Sequence, residues 1–300
     1  MVGRWAGRRA LVTGASSGVG REIARALAAE GAHVIIPVRD RGRGDAAVHS
    51  IRESVPDASL EVRDLDLADF ASVTALGEAL RAEGLPIELH VMNAGVILLG
   101  DRERHDTVDR HELHLQTNFL GHAVLTRELM PLLRKGRARV AVQLSFAAAR
   151  GRLDDLECER SYSAWRAYAG SKRAFGLWGV ELARRSAVEG WGLNVNLCHP
   201  GVAPDTGIAA GVRRTPRGGA ESGARAWLAR SLGNTAAQAA EPALVALASD
   251  AAPGRFYVPG GRFGLSGEPR EVPLFKALRD ANEARRMWEY AEWEGVAQAG

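Results

Sequence analysis

The stretch TGASSGVG, Thr13 to Gly20, connects an apolar run typical of a β-strand to an amphipathic run typical of an α-helix. Its three glycines are spaced to supply a tight turn, a close backbone approach and close helix packing. Backbone N–H groups and the positive end of such a helix bind the pyrophosphate of a dinucleotide. A tight turn without a ligand is the alternative, but the position between strand and helix favours the dinucleotide. The expected contacts are Gly14, Ser16, Ser17, Gly18, Val19 and Gly20.

The rest of the chain repeats this alternation of strand and helix patterns. The predicted strands are Ala10–Thr13, His33–Val38, Leu60–Leu65, Leu89–Asn93, Val140–Ser145, Leu193–Cys198 and Phe256–Val258. Helical periodicity is clearest at Glu22–Glu30, Ser72–Glu83, Glu112–Pro131 and Trp165–Glu189. The pattern predicts an α/β fold, a three-layer, doubly wound, Rossmann-type and mostly parallel sheet of about seven strands. We expect one domain over residues 1–300, with a mobile substrate loop at 207–223 and a C-terminal extension at 260–300.

Charge and cysteine content exclude several classes of protein. The 39 basic and 36 acidic residues are interspersed, and a net charge of +3 does not predict a nucleic-acid partner. Apolar runs fall short of the roughly 20 residues that span a bilayer, so we expect no membrane span. Cys158 and Cys198 have no metal-ligand spacing, which favours a reducing compartment over a disulfide framework. We therefore expect a cytoplasmic protein.

Arginines follow the second predicted strand, in the run VIIPVRDRGRG. An acidic residue at this position typically holds the ribose 2′-hydroxyl of NAD. Here Arg39 comes first, followed by Arg41 and Arg43, and a guanidinium can bind a 2′-phosphate through two hydrogen bonds. The run favours NADP, with Arg39 as the contact. Asp40 keeps NAD open, and arginines on a surface loop are often only solvated.

Tyr168 and Lys172 lie four residues apart on a predicted helix and therefore share a face. A phenol titrates at about pH 10, so proton transfer at neutrality is helped by a nearby cation. A compact ammonium suits this task better than a guanidinium and can also hold ribose hydroxyls. The pair predicts that Tyr168 is a general acid/base whose pKa is lowered by Lys172. Tyr162 is its nearest rival, but it has Arg166 four residues later.

In this order, the motifs resemble those of the short-chain dehydrogenase/reductase family, over about residues 8–205. The matches are the glycine turn, Asn-Ala-Gly at 93–95, Y-x-x-x-K at 168–172 and Pro-Gly at 200–201. The chain looks most like the retinol-dehydrogenase-like and protochlorophyllide-reductase-like branch. That likeness rests on VRD at 38–40, TNFLGH at 117–122, the extra residues before the tyrosine and the tail. The cofactor contacts it implies beyond the glycine turn are Asp66, Leu67, Asn93, Ala94, Gly95, Tyr168, Lys172, Pro200 and Gly201.

The resemblance also implies a catalytic group of four residues. Asn118 would support a water that connects Lys172 to solvent. Ser145 would hydrogen-bond the substrate oxygen. Tyr168 would exchange a proton with that oxygen while a hydride moves to or from the nicotinamide, and Lys172 would lower the tyrosine pKa and hold the ribose.

Three stretches depart from the family pattern. The run VQLSF leaves Ser145 as the only hydroxyl where the family usually has two serines. The long interval from Ser145 to Tyr168 predicts that Leu153–Ser163 is an insertion beside the site. In PGVAPDTGI the threonine expected near the nicotinamide is displaced, so neither Asp205 nor Thr206 is assigned a contact.

The remaining conspicuous residues fit ordinary structural roles. Three histidines lie close to three carboxylates in the sequence, namely His105, His111, His114, Asp106, Asp109 and Glu112. Mixed polar residues at neighbouring helix positions are typical of a solvated face, so we expect no metal site. Cys198 and His199 are expected to pack in the core. An apolar substrate pocket and ordinary core remain open for Phe146, Leu153, Trp165, Val202 and Trp227.

The sequence thus predicts an NADP-dependent oxidoreductase that acts on the carbonyl or alcohol of a fairly lipophilic small molecule. A cofactor-sensing protein without turnover is one alternative, although it would not need Tyr168. A reductase of carbon–carbon double bonds is another. The oligomeric state is open, with a homo-oligomer among the possibilities.

Overall fold

The computed structural model describes residues 3–201, 234–261 and 264–297, with side chains as far as 292. The predicted substrate loop at 207–223 lies outside these ranges. So do Val202, Asp205, Thr206 and Trp227.

Strands and helices alternate along the chain. The strands are β1 Arg9–Val12, β2 His33–Val38, β3 Leu60–Asp64, β4 Leu89–Met92, β5 Arg139–Gln143, β6 Asn194–Cys198, β7 Phe256–Pro259 and β8 Pro269–Val272. The α-helices longer than one turn are α1 Gly18–Ala29, α2 Arg41–Ser54, α3 Phe70–Glu83, α4 Gly121–Gly136, α5 Ala164–Val188, α6 Ala236–Ala248 and α7 Ala281–Ala297.

All eight strands form one sheet in the order β3-β2-β1-β4-β5-β6-β7-β8. Strands β1 to β7 are parallel, so the predicted α/β Rossmann-type fold is confirmed. The predicted number of strands was one too few, because β8 adds an antiparallel edge next to β7. Its sequence, PREV, places a proline and two charged residues on an edge strand, a composition that is hard to distinguish from a loop.

Alternating strand residues fill a core on each face of the sheet. In β5, Val140 and Val142 face the core beneath α3, α4, α5 and α7, whereas Ala141 faces the core beneath α1 and α6. In β1, Leu11 faces the first of these cores and its neighbour Ala10 faces the second. Side chains of a strand point alternately to opposite faces, so the two helical layers follow from this pattern.

The C-terminal extension packs against α5. Trp288 of α7 is 8% exposed and stacks on Trp178 of α5, with ring centroids 5.9 Å apart. Arg173 of α5 forms an ion pair with Glu283 at 2.5 Å. In the described part of the chain, the helices lack the combination of length and apolar character that membrane crossing requires.

Candidate active site

The glycine turn leads from β1 into α1 and leaves no room for side chains on its inner side. Gly14 has φ of +69°, and a Cβ there would lie 2.9 Å from the Ala94 Cα atom. A Cβ on Gly20 would lie 2.5 Å from Asn93 Nδ2. Ser17 is the N-cap of α1, and its side chain makes no capping bond. The turn therefore presents backbone and the start of a helix, as a pyrophosphate site requires.

Side chains join three neighbouring strand ends around this turn. Asn93 Nδ2 donates to the Thr13 carbonyl at 2.8 Å, and the N–H groups of Asn93 and Ala94 donate to the Thr13 hydroxyl at 3.0 Å. Gln143 Nε2, at the end of β5, donates to Asn93 Oδ1 at 2.6 Å. The ends of β1, β4 and β5 are thus held in register where parallel folds bind their ligands.

Arg41 and Arg43 belong to a helix, which corrects their expected place on a loop, whereas Arg39 lies between β2 and that helix. Asp40 is the N-cap of α2, and its carboxylate accepts a hydrogen bond from the Arg43 N–H at 3.1 Å. Arg41 pairs with Asp64 at 2.7 Å. An aspartate preceding a helix caps it efficiently, and this signal was present in the sequence.

The two other arginines differ in their contacts. Arg43 Nη2 donates to Ser17 Oγ at 3.5 Å, so its guanidinium reaches the start of α1. Arg39 is exposed and, over the described ranges, forms no ion pair. The sequence predicted a contact with the 2′-phosphate for Arg39 alone.

Ser145, Tyr168 and Lys172 meet at the carboxyl end of β5. Ser145 lies two residues beyond that strand, and its side chain interacts with the Tyr168 hydroxyl. Tyr168 is 7% exposed and Lys172 4% exposed, both on α5. Lys172 Nζ donates to the Gln143 carbonyl at 3.1 Å. The predicted residues are therefore brought together.

The helix that carries Asn118 is irregular, where a continuous helix was expected over Glu112–Pro131. A short turn at Leu113–Leu115 is followed by a π-helix at Gln116–Leu120 and then by α4, which runs past Pro131. All five residues of the π-helix are buried, so the sequence has no one-sided apolar stripe here whose phase shift would show the extra residue. Such π-bulges are frequent at functional sites.

Asn118 connects the loop after β4 to α5. Its Oδ1 accepts from the Val96 N–H at 2.7 Å, and its Nδ2 donates to Ser171 Oγ at 3.0 Å. A Cβ on Gly95 would lie 2.9 Å from Asn118 Oδ1 and 3.4 Å from Lys172 Nζ. The absence of a side chain at Gly95 thus lets Asn118 and Lys172 approach each other. The role of Asn118 beside a water stays a prediction.

Burial shifts the pKa of both groups on α5. Burial lowers the pKa of Lys172 to about 8. Burial also raises the pKa of Tyr168, and its hydrogen bond with Ser145 opposes that rise. The expected lowering of the tyrosine pKa is therefore wrong for this arrangement, because desolvation disfavours a phenolate more than Ser145 stabilises it.

The rival tyrosine has a less suitable environment. Burial raises the pKa of Tyr162 to about 12, with Glu112 as the next cause. Arg166, four residues later, is directed to Asp154 and Asp155 at 3.5 Å. The geometry therefore favours Tyr168.

A buried polar pair behind Tyr168 corrects the expectation of a solvated face. Glu112 and His114 have no exposed surface, and His114 Nδ1 donates to Glu112 Oε1 at 2.7 Å. His114 Nε2 accepts from the Leu98 N–H at 3.1 Å, and the His114 and Tyr168 rings lie edge to face at 6.5 Å. The spacing of polar residues in the sequence does not show this burial, because the burial depends on the loop after β4. Within the described ranges, no cluster of three such ligands is arranged for a metal.

The other predicted contacts lie along the same edge of the sheet. Asp66 and Leu67 follow β3, and Asp66 Oδ1 accepts from the Ala68 N–H at 2.9 Å. Pro200 and Gly201 follow β6, where Gly201 has φ of +78°. These positions extend the candidate site from the arginines to Tyr168.

Comparison with known proteins gives the family. The short chain dehydrogenase family model matches residues 8–217. The chain belongs to this family. In this short-chain dehydrogenase, Lys172 contacts the end of β5 and the glycine turn follows β1, two strands that both neighbour β4.

Relatives in the short-chain dehydrogenase family confirm the retinol-dehydrogenase-like branch. Mus musculus polyprenol dehydrogenase is 37% identical over 292 residues, which are 94% of this chain and 82% of that protein. Homo sapiens retinol dehydrogenase 12 is 38% identical over 199 residues, 65% of this chain and 61% of that protein.

A solved structure of similar fold contains a nicotinamide cofactor. It is a Beutenbergia cavernae protein, provisionally assigned as an NAD(P)-dependent gluconate 5-dehydrogenase, with bound NADP at low occupancy. It is 28% identical, has a TM-score of 0.62 and is aligned over 82% of this chain and 91% of its own.

Replacing Gly14 should separate backbone strain from crowding in the turn. Gly14→Ala adds a Cβ against Ala94, whereas Gly7→Ala has a similar φ of +73° and no neighbour within 4 Å. Both should lose about 1 kcal/mol from strain. We expect Gly14→Ala to lose more free energy of unfolding in urea and to weaken NADPH binding. Equal losses in the two variants would contradict the crowding.

Proposed function

We propose that the chain is an NADP-dependent oxidoreductase that interconverts the carbonyl and alcohol of a fairly lipophilic small molecule. The observation that carries this is the placement of Ser145 against the buried Tyr168, with Lys172 four residues later on the same helix. The nicotinamide, when bound, supplies or accepts the hydride. Residues of this chain bind the substrate oxygen and transfer the proton.

The proton moves through Tyr168. In reduction, Ser145 and Tyr168 donate hydrogen bonds to the substrate oxygen, and the tyrosine hydroxyl gives up its proton as the carbonyl carbon receives the hydride. Charge then developing on the phenolate oxygen lies one helical turn from Lys172. In oxidation the same proton returns to Tyr168.

Several contacts support NADP as the cofactor. The Asp40 carboxylate, which would repel a 2′-phosphate, is engaged in capping α2, and Arg41 is neutralised by Asp64. Arg43 reaches the start of α1, and Arg39, which precedes the N-cap of α2, is exposed. We assign the 2′-phosphate to these two guanidinium groups.

A lipophilic substrate fits the surroundings of the catalytic tyrosine. Tyr168 packs with Ile97, Ala147 and Ala169, and Leu99 lies against them. Relatives named for polyprenol and retinol act on apolar alcohols by those names, which agrees with such a surface. Reduction of a carbon–carbon double bond would share the cofactor and appear as a different product.

Removing the Tyr168 hydroxyl should abolish most turnover. In a screen of apolar aldehydes and ketones with NADPH, we expect Tyr168→Phe to lower kcat by about 100-fold or more, because the proton donor is lost. Its Kd for NADPH should stay close to wild type. Tyr257→Phe removes a hydroxyl bound to Ser249 and serves as the control with unchanged activity. Full-rate hydride transfer by Tyr168→Phe would contradict the mechanism.

Cofactor preference should depend on two arginines and not on the third. We expect NADPH to bind at least about tenfold more tightly than NADH, a difference of about 1.4 kcal/mol, by calorimetry at one salt concentration. The double variant Arg39→Ala/Arg43→Ala should lose this preference, whereas Arg41→Ala should keep it. Wild-type protein that binds NADH as tightly as NADPH would instead favour Asp40 as a ribose contact.

A further inference from the structure

Trp165 is an exposed aromatic side chain next to the catalytic tyrosine. It lies in the first turn of α5, and 45% of it is exposed. Of the exposed large apolar side chains in the described ranges, it is the one aromatic. Its ring centroid lies 6.4 Å from that of Tyr168. Exposed aromatic surface beside a reacting group is typical of a ligand contact.

The apolar residues around Tyr168 form a cluster distinct from both main cores. Ile97, Ala147 and Ala169 are buried with Tyr168, and Leu99 packs on them. Trp165 extends this surface outwards along α5. A hydrocarbon chain attached to a carbon held at Tyr168 would therefore leave the reaction centre over apolar atoms.

The loop part of this surface is held in place from behind. The N–H of Leu98, between Ile97 and Leu99, donates to His114 Nε2, and His114 is itself fixed by Glu112. Both polar side chains are fully buried. A surface anchored in this way is formed before a ligand arrives, which reduces the entropy lost on binding.

We propose that Trp165 is a specificity-determining residue that selects aldehydes and alcohols whose reacting carbon carries an extended apolar chain. Its exposed indole face covers the first carbons of that chain, and water leaves both surfaces on binding. This inference rests on the proposed function and adds the chain-like substrate class and the residue that recognises it.

A series of straight-chain aldehydes, from butanal to decanal, tests the assignment with NADPH. In the wild-type enzyme kcat/KM should rise about twofold to fourfold for each added methylene over the first members. In Trp165→Ala this rise should disappear, and the loss of kcat/KM should be smallest for butanal, the shortest member of the series. Trp165→Phe should recover most of the rise, because it restores an aromatic face.

Val188→Ala is the matched control, since Val188 is an exposed apolar residue at the far end of the same helix. It should keep the wild-type dependence on chain length. The same slope in wild type and Trp165→Ala, or no slope in wild type, overturns the assignment.

A binding measurement distinguishes failure of this inference from failure of the proposed function. If wild type oxidises NADPH with none of the aldehydes, the proposed function fails by itself. Calorimetry of the NADPH-bound protein with straight-chain alcohols then decides the inference. Affinity that increases with chain length in wild type and not in Trp165→Ala supports it, and parallel behaviour overturns it.

Discussion

The burial of one ammonium group constrains the whole site. Lys172 is 4% exposed, and a buried cation is costly unless polar groups surround it. Its Nζ donates to the Gln143 carbonyl and lies 5.6 Å from the centroid of the Phe175 ring. These contacts compensate only part of the desolvation, which lowers the pKa of Lys172 to about 8. An amine with such a pKa changes protonation close to neutral pH.

The strand ends create the surroundings of that lysine. Gln143 offers its carbonyl to Lys172 and its side chain to Asn93, which in turn binds Thr13. One residue thus connects the catalytic helix to the glycine turn. Because Gly95 has no side chain, the side chains of Asn118 and Lys172 can both lie close to its backbone. The glycine turn and the buried lysine therefore depend on the same set of close contacts.

Much of this arrangement could be predicted from local patterns. Apolar strands alternating with helices predict the parallel sheet, and parallel strands bring their carboxyl ends to one edge. Motifs placed just after those strands, such as the glycine turn and Ser145, therefore had to meet. The spacing of Tyr168 and Lys172 placed both on one helical face.

The features that escaped prediction depend on tertiary contacts. Strand β8 becomes a strand only by pairing with β7, since its own residues are half polar. Glu112 and His114 look like a solvated face until the loop after β4 covers them. The rise in the pKa of Tyr168 follows from burial, which spacing cannot show. Arg43 is a candidate contact because the helix that begins after Asp40 directs the Arg43 side chain towards Ser17. The spacing of the arginines does not show this direction.

The pKa of Lys172 tests the account most directly. The chain has 39 basic residues, of which only Lys135, Lys172 and Lys276 are lysines, so selective ¹³C labelling of lysine gives three NMR signals that single substitutions can assign. The account predicts that the Lys172 signal titrates at about pH 8, well below its usual 10.5. The Lys172→Arg variant should lack that transition. A Lys172 signal that titrates together with a solvated lysine would contradict the buried amine on which the site depends.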